Sequence, residues 1–411
     1  CVRNYIAHHA YGNTVTDDLW SEIDAVSPKK ITGIAHDFTL QAGVPLISIG
    51  QGKDGVQLTQ TRYGADEASR QPRAWRTPVT VMGLGEPWRT VVSSRQPVAH
   101  SAAPGATPLV NAGQTGYFRS RYEGELATRI AGAFPKLAPE DQLGLIYDSL
   151  ALGQAGYAPM DGFLAIALSA QAAQDPVVLK ALAQQLIAVD DLYEHQPGQA
   201  AFRAFARARL APAFARLGWD ARPGEPDNAA IVRTALLGAL GQFDDPAVIA
   251  EAHRRFVAGL AAPDSLTRST RQTVLRIVAA HADAATWDQL HTLAQRATDP
   301  TDKTRLYRYL GSSNDAALAD RALALSLTKE PPATDAPELI SAVAGNFPDK
   351  AFDFAIAHRA EVEALVEPTS RTTFFARIGG TSREAAMNAK LTVFAATVPP
   401  SARGEVAKAL A

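Results

Sequence analysis

The chain has 411 residues, 46% of them apolar and 20% charged, with a formal net charge of -2. That is enough apolar material for two or three domains with separate cores. The near-neutral charge removes the concentrated basic surface that nucleic acid or an anionic membrane would require. Its single cysteine, Cys1, rules out an internal disulfide, and no run of about 18 apolar residues marks a membrane-spanning helix.

Residues 1–44 read as a helical stump. Val2, Tyr5, Ile6 and His9 sit at helical spacing, and "NTVTDDLWSEI" places Thr14 and Thr16 where an N-cap belongs, with Asp17 and Asp18 in the first turn. The first helix opens without a cap. The opening residues lack the charged-then-apolar order of a signal peptide, so any targeting segment is expected upstream and the compartment, cytoplasmic or secreted, stays open.

Residues 45–123 change period. "VPLISIGQG", "GVQLTQTRYG", "WRTPVTVMG", "WRTVVSS", "TPLVNAG" and "GYFRSRYE" are short, rich in Val, Thr and aromatics, and bounded by Gly, Pro and Asp, which predicts a small antiparallel β-sandwich. In the last of these, Tyr117, Arg119 and Arg121 alternate with Phe118, Ser120 and Tyr122, so one face is buried and the other carries charge. "GQGKDG" reads as a hairpin turn, since no Gly-Lys-Ser/Thr follows at the spacing of a phosphate loop.

From residue 124 to 411 Ala, Leu and Arg dominate. Asp175-Pro176 and Asp245-Pro246 both pair an N-cap carboxylate with a proline at the first helical position. "LLGALGQFDDPAVIAEA" from Leu236 and "LYRYLGSSNDAALADRA" from Leu306 match at Leu240 with Leu310, Gly241 with Gly311, and Asp245 with Asp315. Asp283 and Asp349 extend the series, giving a unit of about 35 residues. A helix pair of that size cannot bury its apolar face alone, so the pairs are expected to stack into a large all-α superhelix of the HEAT or armadillo kind.

Catalytic chemistry finds no support in the residues. The nine histidines are 8, 9, 36, 100, 195, 253, 281, 291 and 358, and no two stand four apart as an H-E-x-x-H zinc helix needs. His8 and His9 point about 100° apart on a helix, so they cannot share a metal in that manner; one is expected half-buried and the other exposed. Cys1 at a chain end has no histidine partner, and no serine lies in a Gly-x-Ser-x-Gly elbow.

"HAYGNTVTDDLW" (His9 to Trp20), "DFTLQAGVPLI" (Asp37 to Ile47), "VNAGQTGYFRSRYE" (Val110 to Glu123) and "LGWDARPGEPDNAAIVRTALLGAL" (Leu217 to Leu240) resemble successive landmarks of the zinc metallo-aminopeptidases of the alanyl and puromycin-sensitive type. Phe118 and Ser120 depart from the Tyr and Val more usual in that family. The resemblance implies the end of a thermolysin-like catalytic domain (1–44), a β-sandwich (45–123) and an ERAP-like C-terminal helical superhelix (124–411). It implies a parent enzyme that removes N-terminal residues from peptides with one zinc ion. The zinc ligands, the substrate-amine motif and the transition-state tyrosine of the family are absent from these residues, so no catalytic or metal residue is assigned here and no cofactor is expected in this chain.

The expected partners are the parent's own catalytic domain and peptide substrates, with the superhelix capping the active-site chamber. An independent helical-repeat peptide-binding module is the alternative. Family members use basic and aromatic side chains of the superhelix to hold the far end of a peptide. By that analogy "DKTRLYRYL", with Lys303, Arg305, Tyr307 and Arg308, and "SRTTFFARI", with Arg371 and Arg377, are the candidate helices. The expected peptide-binding residues, in order, are Arg371, Arg305 and Arg377.

Overall fold

The computed structural model describes residues 1–410 apart from 94, 95, 172, 174, 195, 263, 264 and 267, so Gln174 and His195 lie outside the described residues. The chain divides into two compact units, 1–239 and 240–411.

The first unit opens with three helices, α1 (Val2–His9), α2 (Thr16–Val26) and α3 (Thr32–Thr39), none of which has a fully buried residue. Polar ties hold them. Tyr5 Oη donates to Thr14 Oγ1 at 2.8 Å, which takes Thr14 away from capping; Val15 is the N-cap of α2, and its N–H donates to Asp18 Oδ2 at 2.8 Å. Arg76 reaches back to α3, with Nε 2.7 Å from Asp37 Oδ2.

The strands follow: β1 (Val44–Gly52), β2 (Gly55–Tyr63), β3 (Thr77–Met82), β4 (Trp88–Val92), β5 (Val98–Ser101), β6 (Leu109–Val110) and β7 (Arg119–Tyr122). They form a four-stranded sheet of order β5-β2-β1-β7 and a three-stranded sheet of order β4-β3-β6. Ile47, Ile49, Val56 and Leu58 of the first sheet pack with Val79, Val81, Val92 and Val110 of the second in one core, which makes the pair a sandwich. The hairpin joining β1 and β2 pairs Gly52 with Gly55. Gly55 has φ +155°, and a Cβ there would lie 2.3 Å from the His100 carbonyl oxygen, so no other residue fits.

Two features depart from the expectation. β5 was not foreseen, because a four-residue edge strand with half-exposed side chains carries little periodic signal. One pairing, β1 with β7, is parallel. The alternation in β7 holds: Phe118 and Ser120 are buried and Tyr117 is exposed.

Helices complete the first unit: α4 (Glu125–Ala133), α5 (Pro139–Gln154), α6 (Asp161–Ala170), α7 (Pro176–Leu192) and α8 (Gln199–Leu217), with the unit boundary falling inside α9 (Ala229–Gln242). Asp175 caps α7, accepting from Val177 N at 2.8 Å.

The second unit is all helix pairs: α10 (Pro246–Ala261), α11 (Arg268–Ala280), α12 (Ala284–Arg296), α13 (Pro300–Leu310), α14 (Ala316–Ser326), α15 (Ala336–Ala344), α16 (Pro348–Ala357), α17 (Arg359–Leu365), α18 (Arg371–Gly380), α19 (Ala385–Thr397) and α20 (Arg403–Leu410). Asp245, Asp283 and Asp315 cap α10, α12 and α14. Asp349 does not cap α16: Pro348 begins that helix one residue earlier, the N-cap position is Phe347, and Asp349 Oδ2 instead accepts from Ser382 Oγ at 2.6 Å. The intervening helices α11, α13, α15 and α18 contact one another in succession and form a second layer.

Two series of polar contacts run along the stack. In one, Arg321 pairs with Asp288, Lys350 with Asp320 and Lys390 with Asp353, linking α12, α14, α16 and α19. At the helix ends, His281 Nε2 donates to the Gly241 carbonyl at 2.9 Å, Asn314 N to that of Ala280 at 2.9 Å, and Asn346 Nδ2 to that of Ser312 at 3.1 Å. Their sequence separations of 40, 34 and 34 are the repeat itself.

Candidate functional site

Helix α13 starts at Asp299, whose Oδ1 accepts from Asp302 N at 2.8 Å, with Pro300 at the first helical position. Leu306, Tyr307, Tyr309 and Leu310 are buried, which leaves Arg305 and Arg308, three apart, on the free face. On the neighbouring α11, burial of Val274, Leu275, Ile277 and Val278 leaves Gln272 and Arg276 exposed. Asp302 Oδ2 lies 3.0 Å from Arg271 Nη1, and its Oδ1 lies 2.8 Å from Arg305 Nη1, so one carboxylate serves two guanidinium groups.

Four arginines, 271, 276, 305 and 308, surround Tyr309. Burial pushes its phenol up from its ordinary value, and those four positive charges oppose the shift. Tyr309 Oη donates to the Gln272 carbonyl at 3.2 Å, tying α13 to α11. Among the described residues Arg276 and Arg308 make no ion pair, so the face carries an excess of positive charge. Arg305 and Arg308 line a shallow pocket of about 370 Å³ with Pro300, Thr301 and Thr304.

Arg377, on α18, is exposed and donates from Nη2 to Ser341 Oγ of α15 at 3.0 Å. Arg276, Arg308, Ser341 and Arg377 follow one another at about one repeat along the second layer, α11, α13, α15 and α18. Arg371 is the first residue of α18, half-buried, with Nε donating to the Val366 carbonyl at 3.2 Å; it braces the loop ahead of its helix and does not join the arginines around Tyr309. Tyr307 is 1% exposed and its hydroxyl donates to Glu330 Oε1 at 3.1 Å, so it faces the interior, where burial and the Glu330 charge push its phenol up to about 12.

Arg271 and Arg276 were missed from sequence. The signal was present: Arg276 precedes Arg308 by 32 residues, the same offset as Asp283 to Asp315.

The described residues do not fit a catalytic zinc. Among the described residues no three His, Cys, Asp or Glu side chains come together. His8 is exposed and pairs with Glu22 at 2.6 Å, His9 is half-buried against the Tyr5 ring, and His36 pairs with Asp17 at 2.7 Å. No helix among those residues is long and apolar enough to cross a membrane.

The model of the ERAP1-like C-terminal domain family matches residues 108–411. The chain is similar to Aminopeptidase 2 of Candida albicans, 22% identical over 338 residues, which are 79% of this chain and 36% of that protein. It is 29% identical to Aminopeptidase M1-A of Oryza sativa subsp. japonica over 266 residues, 61% of this chain and 30% of that protein. It is 25% identical to the tricorn protease-interacting factor F2 of Thermoplasma acidophilum over 310 residues, 75% of this chain and 37% of that protein. The chain thus spans 30% to 37% of the length of these relatives.

Proposed function

The chain belongs to the ERAP1-like C-terminal domain family, and from that membership we propose that it is the non-catalytic C-terminal part of a zinc aminopeptidase. Its second helical layer receives the far end of a peptide whose first residue is removed elsewhere in the enzyme. The zinc and its ligands belong to the rest of that enzyme. The exposed apolar side chains of α1, Val2 and Ile6, at 60% and 61% exposure, offer surface for the remainder of the catalytic domain.

The observation that carries this reading is the excess of guanidinium groups on the α11–α13 face. A peptide's C-terminal carboxylate accepts two parallel hydrogen bonds from a planar guanidinium fork. Arg276 and Arg308, outside any ion pair among the described residues, need not break one to make that contact. Arg305 is half committed to Asp302, and Arg377 continues the basic row along the layer. Arg371, occupied with the Val366 carbonyl, is expected to contribute least to binding.

In the full-length enzyme, Arg308→Ala and Arg305→Ala should each raise KM about tenfold for peptides with a free C-terminus and leave the same peptides as C-terminal amides nearly unchanged. The magnitude is that of one charge-assisted contact. Equal effects on acid and amide would overturn the carboxylate assignment.

A further inference from the structure

A groove of about 540 Å³ lies within the first unit, between α3 and the three-stranded sheet. Val79, Val81 and Val92 belong to the sandwich core, so alternation turns Pro78, Thr80, Arg89 and Val91 to the outer face, where Pro78 stands opposite Val91 and Thr80 opposite Arg89. Ile31, Ile34 and Phe38 form the facing wall. That wall is held in place, because Arg76, immediately ahead of β3, grips Asp37 of α3 with Nε at 2.7 Å and Nη2 at 2.8 Å.

Two aromatic rings meet in the groove. Phe38 and Tyr117 pack edge to face with centroids 6.4 Å apart, and Tyr117 is 68% exposed, which leaves ring surface open to a further flat group. The charges are all of one sign: among the described residues, Lys29 and Arg89 are the only charged side chains that line the groove. Both are exposed, and among the described residues neither makes an ion pair. Lys30, next in sequence, does not line the groove; its Nζ donates to the Asp24 carbonyl at 3.1 Å.

These groups select a class of ligand. A cation would meet two like charges with no carboxylate in the lining to compensate them, whereas an anion meets two partners that need break no ion pair to receive it. A carboxylate suits the guanidinium fork of Arg89, which donates two parallel hydrogen bonds, and the hydroxyl of Thr80 on the same face is a further donor. The walls favour an apolar body, and the open ring of Tyr117 favours a flat one. We propose that this groove binds a small aromatic carboxylate, its acid group on Arg89, with Lys29 adding charge, and its ring along the apolar walls toward Tyr117. The proposal is independent of the peptide-binding layer in the second unit.

The test uses the 411-residue chain with its Ile and Val methyl groups labelled for NMR. Cinnamate is the probe, and cinnamylamine and cinnamamide are the cationic and neutral controls of similar shape. The expected result is a saturable shift of the Ile31, Ile34 and Val91 methyl signals with cinnamate, none with cinnamylamine, and binding about tenfold weaker with cinnamamide, which lacks the charge. Arg89→Gln should weaken cinnamate binding about tenfold and Lys29→Gln about threefold. Both side chains are exposed, so the methyl spectrum of each free variant should stay native. Lys30→Gln removes the same charge outside the groove and should leave the affinity unchanged. No saturable shift, binding of either control equal to that of cinnamate, an unaltered affinity in Arg89→Gln or Lys29→Gln, or an equal loss in Lys30→Gln would each overturn the proposal.

Discussion

Single side chains set local ties and part of the acid response. Asp190, on α7, is 1% exposed and accepts from Arg203 of α8, with Nε at 2.9 Å from Oδ1 and Nη2 at 3.0 Å from Oδ2. A fork of this kind is costly to break from one side only, because the buried carboxylate keeps its charge and loses its chief partner. Arg203→Ala should lower the stability of the first unit by about 3 kcal/mol, read by denaturant melting of a tryptophan signal. Glu251, on α10, is held by Arg254 at 2.6 Å and Arg255 at 2.8 Å, which depress its carboxyl from 4.5 to about 2. A depressed carboxylate contributes stability that is complete above its unfolded value and is lost as pH falls through its folded value. The contribution of Glu251 should therefore fade between about pH 4.5 and about pH 2. A carboxyl-carbon NMR titration with a midpoint near the ordinary glutamate value would contradict this, and Glu251→Gln should flatten that part of the acid-unfolding profile.

Elements differ in how firmly they are held. The opening helices satisfy their hydrogen bonds but bury little, and an amphipathic helix in water owes most of its stability to a packed face. α1 is tied to the segment ahead of α2 by Tyr5 with Thr14 and to α2 by His8 with Glu22, both exposed pairs, whereas α3 is anchored to the sandwich by Arg76, which grips Asp37 through Nε and Nη2 and donates to the Gly33 carbonyl. Hydrogen exchange in the isolated chain should be fastest in α1, slower in α3 and slowest in helices such as α13, which has four buried side chains. Arg76→Ala should bring α3 toward the rate of α1 while leaving α13 unchanged. Protection of α1 equal to that of α13 in dilute protein would show that its exposed apolar face is not the weakness argued here.

At the scale of the whole molecule, the second unit is a stack in which each pair of helices meets chiefly its neighbours, so damage at one interface should act locally and strongly. The glycines that end corresponding helices test this. A Cβ on Gly311 would lie 2.7 Å from the Leu339 backbone carbonyl oxygen of α15, which cannot step aside without moving that helix. A Cβ on Gly241 would meet the Ile277 side chain at 2.7 Å, and a side chain has other rotamers. Gly311→Ala should cost about 1–3 kcal/mol and Gly241→Ala distinctly less, measured by thermal unfolding of both variants. Equal costs would mean that the interfaces repack as readily through backbone as through side chains.

The sequence by itself determined the order of parts: a helical opening, a run of short strands and a long series of helix pairs. Each of these is written in local period and local caps. Asp245-Pro246 announces the repeat because an N-cap is satisfied by residues a few positions away, whereas the Gly241/Gly311 match marks where a neighbouring helix packs close. The basic character of α13 was legible for the same reason, since Arg305 and Arg308 stand on one short helix. Tertiary structure alone decided which basic residues lie together. Arg271 and Arg276 join Arg305 and Arg308 only because α11 packs beside α13, and Arg371 is drawn aside by a carbonyl five residues earlier. It also made the parallel β1–β7 pairing, and it placed Asp148 against the strand edge 28 residues before it, where a lone carboxylate in a helix sequence gives no sign of what it will face. The division follows from the physics: periodicity and capping are interactions between near neighbours in the chain, whereas the environment of a charge is set by whatever else folding brings to it.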